Sequence, residues 1–275
     1  AQYIYKLHQV LGNHAESARI AILIAKQEQE RGRYKGAHSL LLRTYKDLVR
    51  LKLQVPRDLW ERLMLLQSYI LVKPLARMEE HVNAALLLKR ICQNNVFELF
   101  RAHAAQTLAS AVIECMKSGM TKDAHAYACE LVKDAERRNQ IPEQLRKKIE
   151  VVVRKPPKAD QPQTQEPLSP CPYCTSPLPD SSLTCGKCQN IIPYCTGTGL
   201  HLLIADWAAP CENCGLSSRY SILEKLMARG EGDHVGCPMC YIDMPASRVV
   251  RLSHDEAREQ AADMKLMFLK DNKKA

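Results

Sequence analysis

The sequence is poor in aromatic residues and has no long apolar run. Only 5% of its 275 residues are aromatic, with three Phe and two Trp, so aliphatic side chains must build any core. No stretch of eighteen apolar residues occurs, which argues against a transmembrane helix. The first residues, AQYIYKLHQV, lack the basic start and apolar stretch of a signal peptide and do not begin with Met. We therefore expect a cytoplasmic piece of a longer protein.

Sequence signatures of catalysis are also missing. The chain contains no glycine-rich nucleotide loop, no G-x-S-x-G elbow and no H-E-x-x-H helix. We therefore expect a protein that is not an enzyme.

Positive charge is concentrated in the first part of the chain. Residues 1–170 contain 28 Lys and Arg against 18 Asp and Glu, whereas residues 171–275 contain 11 against 12. The densest basic cluster lies at 146–158. Elsewhere the basic residues alternate with acidic ones, which is typical of solvated helix faces.

Residues 1–153 show helical periodicity throughout. Apolar residues recur at helical spacing, as at Leu59, Leu63, Leu66 and Ile70. Gly and Pro interrupt this pattern at helix-length intervals, which predicts helices at 14–31, 33–53, 56–73, 76–93, 96–118, 121–138 and 142–153. The pattern favours an α-solenoid of tetratricopeptide-like hairpins, with an irregular helical bundle as the alternative.

The rest of the chain divides into three parts. Residues 154–170, RKPPKADQPQTQEPLSP, are rich in Pro and Gln and predict an extended, mobile linker. A cysteine-rich domain follows at 171–250. Residues 251–275 predict a terminal helix that Ser253 caps, with Asp255 and Glu256 in its first turn.

Eight of the twelve cysteines form four C-x-x-C pairs. Two sulfurs at this spacing are well placed to bind one metal ion from a tight turn. Four such pairs predict two structural zinc ions. The predicted ligands are Cys171, Cys174, Cys185, Cys188, Cys211, Cys214, Cys237 and Cys240.

The grouping of these pairs is open from spacing alone. Only ten residues separate the first two pairs, which favours sequential sites in two zinc ribbons, but a cross-braced arrangement as in RING domains is the alternative. Cys195 and His201 are extra candidate ligands, although two complete sites leave them more ordinary roles as packing residues. Cys92, Cys115 and Cys129 are predicted to fill the helical core.

Four thiolates leave no coordination position for water, so we predict that the zinc is structural and not catalytic. The near-neutral charge of 171–275 argues against nucleic-acid binding, which usually needs clustered Lys and Arg. We consider Trp207, Leu216 and Tyr220 as candidate exposed contacts for protein partners, although packing in the core of the module is the favoured interpretation for Trp207.

Several stretches resemble one family. They are LLLRTYKDL (40–48), SYILVK (68–73), VIEC (112–115), KKIEVVVRKP (147–156), the cysteine pairs, and IPYCTGTGLHLL (192–203). The last contains the most specific element, formed by Cys195, Thr198, Gly199 and His201. In this order the stretches resemble the C-terminal ends of the WD-repeat subunits of intraflagellar transport complex A.

This resemblance implies a function that spacing alone could not. Members of the family are non-enzymatic scaffolds with WD-repeat propellers, a tetratricopeptide-like solenoid and a zinc-binding end. It implies a place in the cytoplasm, at the basal body and along the axoneme of the cilium or flagellum. It also implies roles in retrograde transport, cilium assembly and ciliary import of membrane proteins. The partners would be other complex A subunits, and weak self-association is left open.

Two other classes remain as alternatives from the sequence. One is a RING-like ubiquitin ligase module, which requires cross-braced metal sites. The other is a nucleic-acid-binding zinc ribbon, against which the charge distribution argues.

Overall fold

The computed structural model describes residues 2–94, 96–158, 162–229 and 234–268. Helices dominate these residues, and the strands are short. The helices are α1 Gln2–Val10, α2 His14–Glu30, α3 Tyr34–Arg50, α4 Arg57–Arg77, α5 His81–Gln93, α6 Val96–Leu99, α7 Ala104–Lys117, α8 Thr121–Val132, α9 Ala135–Asn139, α10 Glu143–Arg154, α11 Tyr220–Arg229 and α12 His254–Phe268. The strands are β1 Leu168–Pro170, β2 Pro177–Pro179, β3 His234–Gly236 and β4 Asp243–Pro245.

The predicted fold class is confirmed: the chain is mainly α, with helices first and a small cysteine-rich module after them. Helix α12 begins after Ser253, as predicted. The Ser253 hydroxyl accepts from the Glu256 N–H, and the Glu256 carboxylate accepts from the Ser253 N–H, which is a capping box. Within the described residues, no helix combines the length and apolarity needed to cross a bilayer.

Several predicted helix boundaries differ from the structure. The stretch predicted as one helix at 96–118 breaks at Phe100, whose backbone leaves the helical region at φ −126° and ψ 34°. The stretch at 121–138 breaks at Asp134, whose carboxylate accepts from two backbone N–H groups and so starts α9. Helix α4 continues through Pro74 to Arg77, although a proline cannot donate a backbone hydrogen bond, and the helix predicted at 76–93 therefore begins only at His81.

The described chain forms two compact units. The first unit contains residues 1–26, 35–67 and 167–275, and the second contains residues 27–34 and 68–166. The first unit therefore joins early helices to the cysteine-rich module. The boundaries at 153, 170 and 250 stay a prediction.

The second unit is built from successive packed helices. Helix α7 packs against α5 and α8, and α8 packs against α10. Small and aliphatic side chains form its core, namely Ala105, Leu108, Ala109, Val112, Ala128, Leu131, Ile141 and Ile149. Part of the predicted linker contacts this unit: the Gln163 side chain bonds to Thr121 and to the Lys122 N–H.

In the first unit, two short antiparallel hairpins form the cysteine-rich module. Strand β1 pairs with β2 and places Ser169 opposite Leu178, while β3 pairs with β4 and places Val235 opposite Met244. Apolar side chains form clusters within this module. One cluster joins Leu178 and Ile192 to cysteines, and another contains Ala208, Leu223, Val235 and Val249. The large side chain of Trp207 is also buried in this part of the chain.

Helix α4 holds this module through the fully buried Gln67. The Gln67 amide donates to the carbonyl oxygen of Thr196 at 3.2 Å and to that of Pro238 at 2.8 Å. Pro238 lies between the cysteines of the last C-x-x-C pair. The side chain of Arg57, at the start of α4, reaches Thr184 and the Gln189 carbonyl beside the second pair. Helix α4 therefore contacts backbone next to both cysteine groups.

We expect Gln67→Met to lower the free energy of unfolding of the first unit by about 2–4 kcal/mol, because two buried carbonyls lose their donor. Urea unfolding followed by tryptophan fluorescence measures this, since Trp60 and Trp207 are both buried in the first unit. The matched control is Gln54→Met, at an exposed loop position of the same unit. Equal unfolding midpoints for the two variants would contradict the role of Gln67.

Candidate metal centres

Each C-x-x-C pair sits in the same backbone turn. The N–H of the first cysteine donates to the carbonyl five residues later, and the N–H four residues later donates back to the cysteine carbonyl. The residue at that fourth position has a positive φ, between 57° and 72°. These residues are Thr175, Gln189, Gly215 and Tyr241. The turn aims both sulfurs of a pair to one side, as a zinc knuckle requires.

The structure gathers the eight predicted ligands into two groups of four. One contains Cys171, Cys174, Cys185 and Cys188, and the other contains Cys211, Cys214, Cys237 and Cys240. Within each group all sulfurs lie within 4.8 Å of one another. This is the sequential grouping, and the cross-braced grouping of a RING domain is not the one formed.

The sulfur spacing tests whether a metal fits. Between pairs, Cys171 and Cys188 are 3.8 Å apart, and Cys174 and Cys185 are 3.7 Å apart. In the second group the corresponding separations are also 3.7 and 3.8 Å. Sulfurs at about 2.3 Å from a tetrahedral zinc ion lie about 3.8 Å apart. These distances fit a shared zinc ion and are far too long for disulfide bonds.

Burial and hydrogen bonds shift the pKa values of three thiols in the first group in different directions. Burial raises the pKa of Cys171 to about 12. The Ser176 hydroxyl lowers the pKa of Cys174 by hydrogen bonding to its sulfur. Burial also opposes ionisation of Cys185, but hydrogen bonds from the Cys188 N–H and from Ser176 outweigh it and lower this pKa to about 6. A divalent cation would favour the thiolate form of all four.

The second group is more buried. Hydrogen bonds from the thiols of Cys214 and Cys237 lower the pKa of Cys240, and sharing a proton with Cys237 raises the pKa of Cys214. Three of its four cysteines are buried, against two in the first group. Water therefore has less access to the second group.

Asn213 joins this second group to helix α3. The Asn213 side chain hydrogen-bonds to Cys240 and lowers its pKa, after the larger effect of the neighbouring thiols. The Lys46 ammonium donates to the Asn213 carbonyl oxygen at 2.7 Å. Because Lys46 occupies the oxygen of the amide, the Asn213 nitrogen is left to face the sulfur. Such contacts outside the ligand shell orient ligands and tune metal affinity.

Cys195 and His201 join neither group among the described residues. Cys195 nevertheless forms a fifth turn of the same kind, with bonds from its N–H to the Leu200 carbonyl and from the Gly199 N–H to its own carbonyl, each at 2.8 Å. The second cysteine position is occupied by Thr198. The Cys195 sulfur instead accepts from the backbone N–H groups of Thr198 and Arg219.

The sequence analysis missed this fifth turn. Its signal is the spacing from Cys195 to Gly199, which repeats the spacing from Cys211 to Gly215. Gly199 has φ 73° and Gly215 has φ 72°, a backbone conformation that favours glycine. Gly197 is needed for another reason, since a Cβ there would lie 2.8 Å from the Ile222 side chain of α11.

A buried polar network connects the two metal-binding hairpins. The Arg219 guanidinium donates to the Asp180 carboxylate at 3.0 Å and to the His201 carbonyl at 2.8 Å. The His201 ring bonds to the Ser182 carbonyl at 2.7 Å, and Ser169 donates to Asp180. His201 therefore acts in packing, and its ring does not face either group of four sulfurs.

The core packing favoured for Trp207 is confirmed, because its side chain is 1% exposed. Leu216 is 4% exposed, so the prediction that it is an exposed contact is wrong, and Tyr220 is half-buried. The exposed apolar residues near the second group are instead Tyr241, Ile242 and Val250. Some apolar residues near the cysteine turns are thus buried, although a simple alternation of polar and apolar residues along the chain would not predict their burial.

These features define a mainly helical protein with a cysteine-rich module that can bind metal. No protein-family model matches the chain. It is similar to WD repeat-containing protein 19 of Mus musculus and of Homo sapiens, at 37% identity over 253 residues, which is 92% of this chain. It is 33% identical over 88% of its length to the WD repeat-containing protein dyf-2 of Caenorhabditis elegans.

The resemblance found in the sequence is thereby confirmed: nearly the whole chain is homologous to a part of WD repeat-containing protein 19. The chain spans only 17–18% of the length of these relatives.

We expect two zinc ions per chain by elemental analysis. Cys185→Ser should leave about one, and Cys214→Ser should likewise leave about one, because each breaks one group of four sulfurs. Cys195→Ser is the matched control, since it changes a cysteine in the same kind of turn, and it should keep two. One zinc ion in the wild type, or a loss with Cys195→Ser, would contradict these ligand sets.

We further expect Asn213→Ala to speed zinc loss from the second group by about tenfold, because a sulfur loses an amide donor. Transfer of zinc to a coloured chelator measures the rate, and the Cys185→Ser background removes the signal of the first group. The control is Glu212→Gln, which changes the exposed neighbour in the same turn. Equal rates for both variants would show that the amide has no such role.

Proposed function

We propose that this chain is a non-enzymatic interaction region of a subunit of intraflagellar transport complex A. The homology to WD repeat-containing protein 19 over 92% of the chain carries this proposal. In this role it binds other subunits of the complex. It supports retrograde transport along the axoneme, cilium assembly and ciliary import of membrane proteins, and it resides in the cytoplasm, at the basal body and in the cilium or flagellum.

In this proposal, two structural zinc ions stabilise the cysteine-rich module. Each ion takes four cysteine sulfurs as ligands, namely Cys171, Cys174, Cys185 and Cys188 in one site and Cys211, Cys214, Cys237 and Cys240 in the other. Four thiolates give the site a net charge of −2 and leave no open position, which makes the ion a poor Lewis acid. Metal binding adds to the stability of this module, whose described strands are only three residues long.

The surface of the module supports protein binding. Tyr241 is 61% exposed, Val250 is 53% exposed and Ile242 is 48% exposed. Ile242 and Val250 border a cleft of about 500 Å³ that Met244, Val249 and Pro210 also line.

The sequential sulfur grouping disfavours the RING-like ligase, which needs cross-braced sites. Residues 171–275 carry 11 basic against 12 acidic side chains, which disfavours a nucleic-acid-binding ribbon.

The test is affinity purification of the tagged chain from ciliated cells, followed by mass spectrometry. We expect other complex A subunits to copurify with the wild type and to be lost with the double variant Cys185→Ser, Cys214→Ser, because its module no longer folds around metal. Cys195→Ser is the matched control and should retain the subunits.

Two outcomes would contradict the proposal. One is a soluble wild-type chain that carries two zinc ions and captures no complex A subunit. The other is capture that survives in the double variant after its zinc is gone, which would place binding outside the metal-held module. Zinc-dependent formation of ubiquitin chains in a purified assay would favour the ligase instead.

A further inference from the structure

A groove in the second unit combines an apolar floor with a cationic rim. It has a volume of about 610 Å³ and lies between the ends of α7, α8 and α10. Its lining residues are Met116, Thr121, Val151, Val152, Lys155, Pro156, Pro157 and Lys158. None of these is a cysteine of the two metal centres, so the groove is separate from the proposed metal-held module.

The floor of the groove leaves apolar side chains in water. Met116 is 44% exposed and Val151 is 50% exposed, although each lies in a helix whose other face is buried. Val152, beside them, packs partly onto the core of the unit. Pro156 and Pro157 extend this apolar surface along one wall and have no backbone N–H group. An apolar ligand group would therefore be covered on several sides.

Two lysines give the rim positive charge. Within the described part of the chain, Lys155 and Lys158 have no acidic partner, whereas the adjacent Arg154 lies 3.7 Å from Glu150. Residues 143–158 contain six basic against two acidic side chains. Both lysines line the groove itself. The local potential therefore favours a ligand with negative charge.

We propose that this groove binds an extended segment of a partner protein in which acidic and apolar residues alternate. Alternate side chains of an extended peptide point to opposite sides, so apolar residues can enter the floor while carboxylates remain near the lysines at the rim. The observations favour a peptide over an anionic membrane. The apolar groups lie inside a cleft, where a peptide side chain can reach them, and not on a projecting surface that could enter a bilayer.

The test is fluorescence anisotropy with a labelled peptide of about ten residues, long enough to cross the groove, that alternates Glu and Leu. A peptide that alternates Lys with Leu keeps the apolar residues but reverses the charge. A peptide that alternates Glu with Ser keeps the charge but removes the apolar residues. We expect the Glu-Leu peptide to bind most tightly. The double variant Lys155→Glu, Lys158→Glu should weaken its binding by about tenfold or more, because charge attraction becomes repulsion.

The matched control is Lys147→Glu, Lys148→Glu. It makes the same change in net charge within helix α10, just before the rim lysines in the sequence, at exposed residues that do not line the groove. It should change binding by less than about twofold. Val151→Asp should weaken binding of the Glu-Leu peptide through the floor while leaving both rim lysines in place. Circular dichroism checks that every variant keeps its helix content.

Three results would overturn the proposal. The first is equal weakening in the groove variant and the control variant, which would indicate non-specific charge attraction. The second is no binding of the Glu-Leu peptide up to about 1 mM, the limit of a useful weak interaction. The third is that the chain binds vesicles of phosphatidylcholine and phosphatidylserine but not the peptide, and that the double variant Lys155→Glu, Lys158→Glu no longer binds the vesicles. That result would show that the ligand is a membrane. A failure here leaves the copurification of complex A subunits unaffected, so the two proposals fail separately.

Discussion

Four sulfur atoms within 4.8 Å of one another, without a bond between them, form an arrangement that thiols alone hold poorly. If one thiol ionises, its neighbours resist ionisation, as the lowered pKa of Cys240 beside the raised pKa of Cys214 shows. A shared cation would remove this conflict, because it attracts every thiolate of the group. Because the described strands of the module are only three residues long, the positions of its loops depend on resolving that conflict.

A few polar side chains connect the two sulfur groups to the helices. Gln67 donates to the backbone within the last cysteine turn, and Lys46 fixes the amide that faces Cys240. The buried Arg219–Asp180 pair then joins one hairpin to the other. A buried ion pair is a weak source of stability but fixes relative position well, because only one geometry satisfies all its donors. The first unit is thus positioned by a small number of directional contacts.

Local features of the fold could be predicted from the sequence. The C-x-x-C spacing identified all eight members of the two sulfur groups, and helical periodicity found the main helices. Helices α1 and α11 were missed, the first because polar residues interrupt its apolar positions and the second because it lies among cysteine turns. The break at Asp134 had a recognisable signal, since aspartate is a common first residue before a helix.

Contacts between distant segments could not be predicted. Nothing near Gln67 in the sequence indicates that its amide meets Thr196 and Pro238. The turn at Cys195 was not predicted either. Its sulfur accepts from two backbone N–H groups, those of Thr198 and of the distant Arg219.

The first unit closes between segments that are far apart along the chain. The N–H of Val55, just before α4, donates to the carbonyl of Met267 in α12, and Trp60 packs against Phe268 with ring centres 5.3 Å apart. During synthesis, α3 and α4 leave the ribosome long before α12 does, so the face around Trp60 stays exposed for most of that interval. Pairings of such high sequence separation form slowly and leave apolar surface open to aggregation. An uncovered apolar face around Trp60 during synthesis is therefore a consequence of this topology, and α12 covers that face only after it has been made.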